Sequence, residues 1–184
     1  MAPAGTKVTP TLRIYRGILL LATPFILLRL WWRGRREPEY RRRIRERFGF
    51  VQLRDGRPII WLHAVSAGEV IAAAPLIRRI ANHCAQHQVL VTTMTPTGAE
   101  QVRGLLGDAV VHKYAPYDMT FAVQRYWQQV RPAVLVLMET ELWPNLIHQA
   151  ATESVPICLI NARLSERSAR GYRRLATLSR PMLA

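Results

Sequence analysis

From Pro58 onward the sequence alternates five times between a short apolar run and a longer helical pattern, and few folds accommodate that order. The runs Ile59 to Ala64, Val89 to Thr93, Val110 to Lys113, Ala133 to Met138 and Pro156 to Ile160 are rich in apolar and β-branched residues. They are short enough for parallel strands buried on both faces. Helix patterns follow them at about Glu69 to Ala81, Gly98 to Leu106, Met119 to Val130, Pro144 to Ala150 and Ser165 to Ser179. A helix after every strand predicts an α/β fold, a doubly wound parallel sheet with right-handed crossovers and helices on both faces. A chain of 184 residues can bury one such core.

A sheet of this kind collects the residues that follow each strand along one edge, which is where open parallel sheets hold ligands. Here that edge takes Ser66 to Glu69, Thr95 to Gly98, Ala115 to Asp118, Glu139 to Asn145, and Asn161 to Arg163. The candidate substrate-binding residues are therefore Ser66, Gly68, Thr97, Glu139, Glu141, Asn161 and Arg163. Ser66 and Glu69 also stand in the S-x-x-E spacing of a capping box, in which the serine accepts from the N3 amide and the glutamate reaches back to the N-cap amide. Thr97 with Glu100 forms a second such pair, and Asp118 is placed as an ordinary N-cap before Met119. Glu139 and Glu141 resist a purely structural reading, because two neighbouring carboxylates cannot both be buried cheaply without partners. Arg163 is a natural partner for one of them, or for a ligand phosphate.

Several function classes are disfavoured. The first strand-to-helix turn lacks G-x-G-x-x-G, and G-x-x-x-x-G-K-[ST] occurs nowhere, which argues against nicotinamide and nucleoside-triphosphatase chemistry. His63 has no second ligand at metal spacing, so no metal and no cofactor are expected. Cys84 and Cys158 lie within apolar patterns and read as buried, reduced thiols.

The N-terminal third has a different character. Residues 1–57 hold fourteen Lys/Arg against four Asp/Glu, a net of +10, whereas residues 58–184 hold twelve against eight, a net of +4. After a short polar start, Met1 to Pro10, come nineteen mostly apolar residues, Ile14 to Trp32, with Arg16 and Arg29 near the two ends and Pro24 inside. This segment fits both a helix that spans a bilayer and one that lies in its interface, packed on lipid and not on the sheet. No small-residue cleavage site follows it, so it reads as a retained anchor. Trp31, Trp32 and the arginines behind them mark a headgroup boundary on the cytoplasmic side. Arginines that border an apolar segment favour anionic lipid over nucleic acid as the partner. Glu37 to Gly49 reads as a very basic linking helix. The chain thus divides into an anchor over residues 1–34, the basic link over 35–57 and the α/β domain over 58–184.

Two motifs carry a family resemblance. His63-Ala-Val-Ser-Ala-Gly-Glu69 resembles the stretch that opens the acceptor half of the Kdo transferases, and Met138-Glu-Thr-Glu-Leu-Trp-Pro-Asn145 resembles a second motif of that family in the right order. These membrane-bound enzymes move 3-deoxy-D-manno-octulosonic acid (Kdo) from its CMP-activated form to a lipid A precursor. The resemblance implies the N-terminal, acceptor-binding domain of a GT-B fold, Rossmann-like, with the domain that holds CMP-Kdo beyond Ala184. It implies the cell inner membrane as location, with the globular part facing the cytoplasm. It also implies that Glu69 is the catalytic base, that transfer inverts the anomeric centre and that no metal is required. A membrane-tethered module that binds a lipid or glycan without catalysis, or another GT-B lipid glycosyltransferase, is the alternative.

Overall fold

The computed structural model describes residues 8–53 and 56–162. Five parallel strands, β1 (Ile59–His63), β2 (Gln88–Thr93), β3 (Val111–Tyr114), β4 (Pro132–Met138) and β5 (Ile157–Ile160), form one sheet in the order β3-β2-β1-β4-β5. Between them run α3 (Ala67–His83), α4 (Pro96–Leu106), α5 (Thr120–Val130) and α6 (Pro144–Thr152). The α/β architecture with helices on both faces is as expected, and the strand bounds differ from the sequence reading by only a residue or so at either end. The expected helix over Ser165 to Ser179 lies outside the described residues.

Alternation along β1 explains the layering. Ile60 and Leu62 point into a core shared with Val70, Ala73, Ile77 and Val102 of α3 and α4. Ile59 and Trp61 point the other way, into a core with Val123, Tyr126, Trp127, Leu146 and Ile147 of α5 and α6. Every residue of β1 is buried, as a central strand covered on both faces requires. Strand order reverses on either side of β1: β2 and β3 lie to one side and β4 and β5 to the other. The crevice beyond the ends of β1 and β4 is therefore the topological switch point of the sheet, the position at which doubly wound folds bind ligands.

Ahead of the sheet, α1 (Pro10–Arg36) is one helix of 27 residues, long and apolar enough to cross a membrane by length and composition. Thr9 caps it by accepting from the Leu12 amide at 3.2 Å, and Pro10 occupies the first turn, where its missing N–H costs nothing. Pro10 thus belongs to the helix and not to the polar start. The expectation that this segment packs on lipid alone is corrected, because one face of α1 lies against the domain. Tyr15 donates to Asp118 at 2.9 Å, Arg16 donates to Asn145 at 2.7 Å, and Leu12, Leu30 and Gly34 are buried. The opposite face carries Ile14, Ile18, Leu21, Phe25, Leu28 and Trp32, all exposed and spaced alternately four and three residues apart. That spacing makes a single apolar stripe.

The basic link is not one continuous helix. A 3-10 turn, Pro38–Tyr40, and a short helix, α2 (Ile44–Arg47), are separated by Arg43, whose φ of 54° is left-handed and breaks the helical path. Several contacts fix α2 to the sheet edge. Glu46 accepts from the Tyr114 amide at 2.8 Å and pairs with Arg43 at 2.9 Å. Gly49, at φ 89°, sits so close to α5 that an added Cβ would lie 2.4 Å from the Ala122 carbonyl oxygen. The thiols also depart from expectation: Cys84 is half-buried, and Cys158 is exposed because β5 is an edge strand that nothing covers among the described residues.

Candidate functional site

Backbone pairing continues past the strand ends and sets the loops of the switch point side by side. The Ala64 amide donates to the Thr92 carbonyl at 3.0 Å, the Met94 amide to Val65 at 2.9 Å and the Glu139 amide to Ile160 at 2.9 Å. Ser66, extended at φ −119° and ψ 166°, is the N-cap of α3, and its hydroxyl accepts from the Glu69 amide at 3.3 Å. The Glu69 side chain folds back over this turn. Its Oε1 accepts from the Ser66 hydroxyl at 2.7 Å and its Oε2 from the Val65 amide at 2.9 Å. This is a capping box displaced by one residue, since the glutamate reaches the amide before the cap and not that of the cap itself. Glu69 is only 6% exposed. Burial raises its carboxyl above the ordinary glutamate range, against the hydrogen bonds from Ser66 and Val65, and nearby Glu141 and Glu139 push it up further.

Those two glutamates come from the loop after β4. Glu139 has a left-handed φ of 55°, unusual for a residue with a Cβ and characteristic of strained functional turns. Glu141 accepts from the Trp143 indole N–H at 2.8 Å. Trp143 in turn packs edge to face with the His63 ring, 4.5 Å between centroids, which ties the β4 loop to the end of β1. His63 is fully buried, and burial holds it down at about 3, so it is neutral. Its Nδ1 lies 3.0 Å from Thr92 Oγ1, while Nε2 has no partner among the described residues, so the imidazole is only half satisfied.

Ser66, Gly68, Glu69, Glu139 and Glu141 thus gather at the switch point. Gly68 is exposed, and a Cβ there would meet only Ser66 Oγ at 3.9 Å, so the ground in front of the turn is open. Thr97 lies one loop away, exposed in the first turn of α4, and donates to Thr95 Oγ1 at 3.2 Å. The cap of α4 is Thr95, which accepts from the Gly98 amide at 3.0 Å, and not the expected Thr97 with Glu100. Asn161 follows β5 with φ 51°, a conformation that asparagine tolerates, and lies beyond β4 from Glu69. Arg163 lies outside the described residues. No group of three or more His, Cys, Asp or Glu side chains able to hold a metal occurs among the described residues.

Asp118 also departs from the sequence reading. Met119, not Asp118, is the N-cap of α5, and the Asp118 carboxylate reaches across space to cap α6, accepting from the Asn145 amide at 3.0 Å and the Leu146 amide at 2.9 Å. With Tyr15 and Arg16 completing the cluster, the end of the second motif is what docks α1 onto the domain. Burial raises the Asp118 carboxyl from 3.8 to about 6, against hydrogen bonds from Asn145, Tyr15 and Leu146. A carboxyl with a raised folded value binds its proton more tightly when folded. Its contribution to stability is complete below 3.8 and is lost as pH rises through about 6. The melting temperature of the wild-type chain relative to Asp118→Asn should accordingly fall across that window, measured by circular dichroism. A constant difference would show that Asp118 does not titrate across that window.

A family profile described as 3-deoxy-D-manno-octulosonic-acid transferase (Kdo transferase) matches residues 42–184. A protein named 3-deoxy-D-manno-octulosonic acid transferase from Haemophilus influenzae is 43% identical over 160 residues, covering 86% of this chain and 38% of that protein. Proteins of the same name from Bordetella pertussis and Rickettsia bellii are 35% identical over 168 residues and 30% identical over 164 residues. These cover 84% and 89% of this chain, and 39% of each relative. The chain spans well under half the length of each of these relatives.

Proposed function

The chain belongs to the 3-deoxy-D-manno-octulosonic-acid transferase family, and on that premise we propose that it forms the acceptor-binding half of a membrane-associated enzyme that transfers Kdo from CMP-Kdo to a lipid A precursor. The observation that carries this reading is Glu69, buried at the switch point with a raised carboxyl and open ground before it. An alcohol is a poor nucleophile until its proton is being removed. The acceptor oxygen forms its bond to the anomeric carbon as Glu69 takes the hydroxyl proton. The bond from that carbon to phosphate breaks on the opposite face, its electron pair leaving with CMP, and the configuration inverts. Because the nucleotide is already a good leaving group, the scheme calls for no metal.

The hydrogen bonds of the capping box do not conflict with this role. Each carboxylate oxygen keeps a second lone pair, and the Ser66 hydroxyl and Val65 amide fix the direction of the free ones. Glu139 and Glu141 raise the proton affinity of the base and border the same crevice, where they and Ser66 would bind sugar hydroxyls. α1 would lie in the inner membrane's cytoplasmic interface, its docked face on the domain and its apolar stripe in lipid.

Calorimetric titration tests the division of labour. The chain should bind the lipid A precursor, and CMP should bind no more tightly than inorganic phosphate in the same buffer, because the nucleotide would be held by the remainder of the enzyme. CMP saturating the chain at lower concentrations than phosphate would overturn the assignment of this domain to the acceptor.

A further inference from the structure

Arg47 is the most anomalous charge among the described residues. It is 1% exposed, yet its guanidinium makes one hydrogen bond to oxygen, from Nη1 to the Met94 carbonyl at 3.1 Å, and its Nε and Nη2 have no partner among the described residues. Its Cζ lies over the Tyr114 ring, 4.2 Å from the centroid. The adjacent carboxylate, Glu46, is turned away to the Tyr114 amide, Arg43 and Lys113. A buried cation in this state is costly unless an anion completes it. The backbone around it is held firmly, since the Arg47 carbonyl accepts from the Tyr117 amide at 2.8 Å and Gly49 is pressed against α5.

Arg47 lines a cavity of about 250 Å³ between the C-terminal half of α1 and the loops after β2 and β3. Arg29 and Arg33, one turn apart on α1, line it as well, together with Thr95, Tyr40 and Tyr117. Arg33 is held over the Tyr40 ring at 4.6 Å. We propose that this cavity is a binding site for a phosphate monoester, gripped by Arg29, Arg33 and Arg47. Three guanidinium groups match a dianion with three terminal oxygens, and their forked donors suit phosphate geometry better than that of a single carboxylate.

The position of the site supplies a purpose, which rests on the function proposed above. The Arg47 guanidinium donates to the Met94 carbonyl, the Met94 amide donates to the Val65 carbonyl, and the Val65 amide donates to Glu69. Two residues, Met94 and Val65, thus separate the cavity from the candidate base. On its other side lies the part of α1 that bears Trp31 and Trp32. A phosphate ester presented from the membrane surface would be anchored here with its sugar extending toward Glu69.

The test is titration of the 184-residue chain in phosphatidylcholine nanodiscs with inorganic phosphate, dioctanoyl phosphatidic acid and dioctanoyl phosphatidylglycerol. Saturable binding of inorganic phosphate and of the monoester phosphatidic acid is expected, with the phosphodiester weaker by about tenfold or more. Arg29→Gln and Arg33→Gln, both on α1 and outside the packed core, should each weaken monoester binding by about tenfold. Arg47→Lys should do so at least as strongly, while Arg79→Gln, on the exposed face of α3, leaves it unchanged. Phosphatidic acid binding tighter than inorganic phosphate identifies a lipid-borne ester, and the reverse a soluble one. Absence of saturable monoester binding, equal affinity for the diester, or binding indifferent to Arg29 and Arg33 overturns the proposal. Sugar transfer plays no part in the readout, so failure here is distinguishable from failure of Glu69 as the base.

Discussion

Changing Leu21 and Phe25 together to glutamine should lower partitioning of the chain into lipid vesicles by about two orders of magnitude or more, since burying each side chain is worth roughly 1.5–3 kcal/mol. The two are 77% and 73% exposed and sit in the middle of the apolar stripe of α1, turned away from the domain. The same double variant should leave the unfolding transition of the α/β sheet where it was, because neither residue contributes to the two cores of the sheet. Vesicle flotation and circular dichroism read the two outcomes separately. Undiminished flotation would place the membrane contact elsewhere, on the arginines alone or on another face. A collapsed unfolding transition would show that the stripe is part of the folded core.

Most of the sheet was legible because it depends on local pattern. Runs such as Ile59 to Leu62 are apolar throughout, as a strand covered on both faces must be, and capping residues such as Ser66 announce where α3 begins. The clustering of Ser66, Glu69, Glu139 and Glu141 followed from topology, since parallel strands bring every following loop to one edge. What escaped the sequence reading depends on contacts between distant segments. Asp118 has the look of a cap for the helix that begins just after it, and nothing local reveals that it caps α6, 27 residues further on. Arg47 is one arginine among many in a basic stretch, and its burial arises only because α2 is stitched to β3 and Gly49 to α5. The left-handed break at Arg43 has no glycine or asparagine to signal it. The apolar stripe of α1 is visible in its spacing, but the docking of the opposite face is not, because Tyr15 and Arg16 find their partners more than one hundred residues away.

The Asn145 side chain illustrates how a motif can serve two ends. It closes the second family motif, beside the acidic loop that borders Glu69, and at the same time receives Arg16 from α1. α1 and the loop after β4 are thereby linked, directly through Arg16 and Asn145 and again through Tyr15 and Asp118.

Glu69 as a base and Glu69 as merely a cap differ greatly in the size of the effect that its loss would have. Loss of a capping interaction costs on the order of 1 kcal/mol of stability, whereas loss of a general base costs about a hundredfold to ten-thousandfold in rate. The measurement is Kdo transfer by this chain joined in frame to the remaining residues of the Haemophilus influenzae relative, with and without Glu69→Gln. Glutamine keeps the size of the side chain and can still accept from one of its two partners, but it cannot take a proton. Transfer should fall by about two to four orders of magnitude while the melting temperature moves by only a few degrees. Transfer that survives the substitution, with stability alone reduced, would show that Glu69 caps α3 and that the base lies elsewhere.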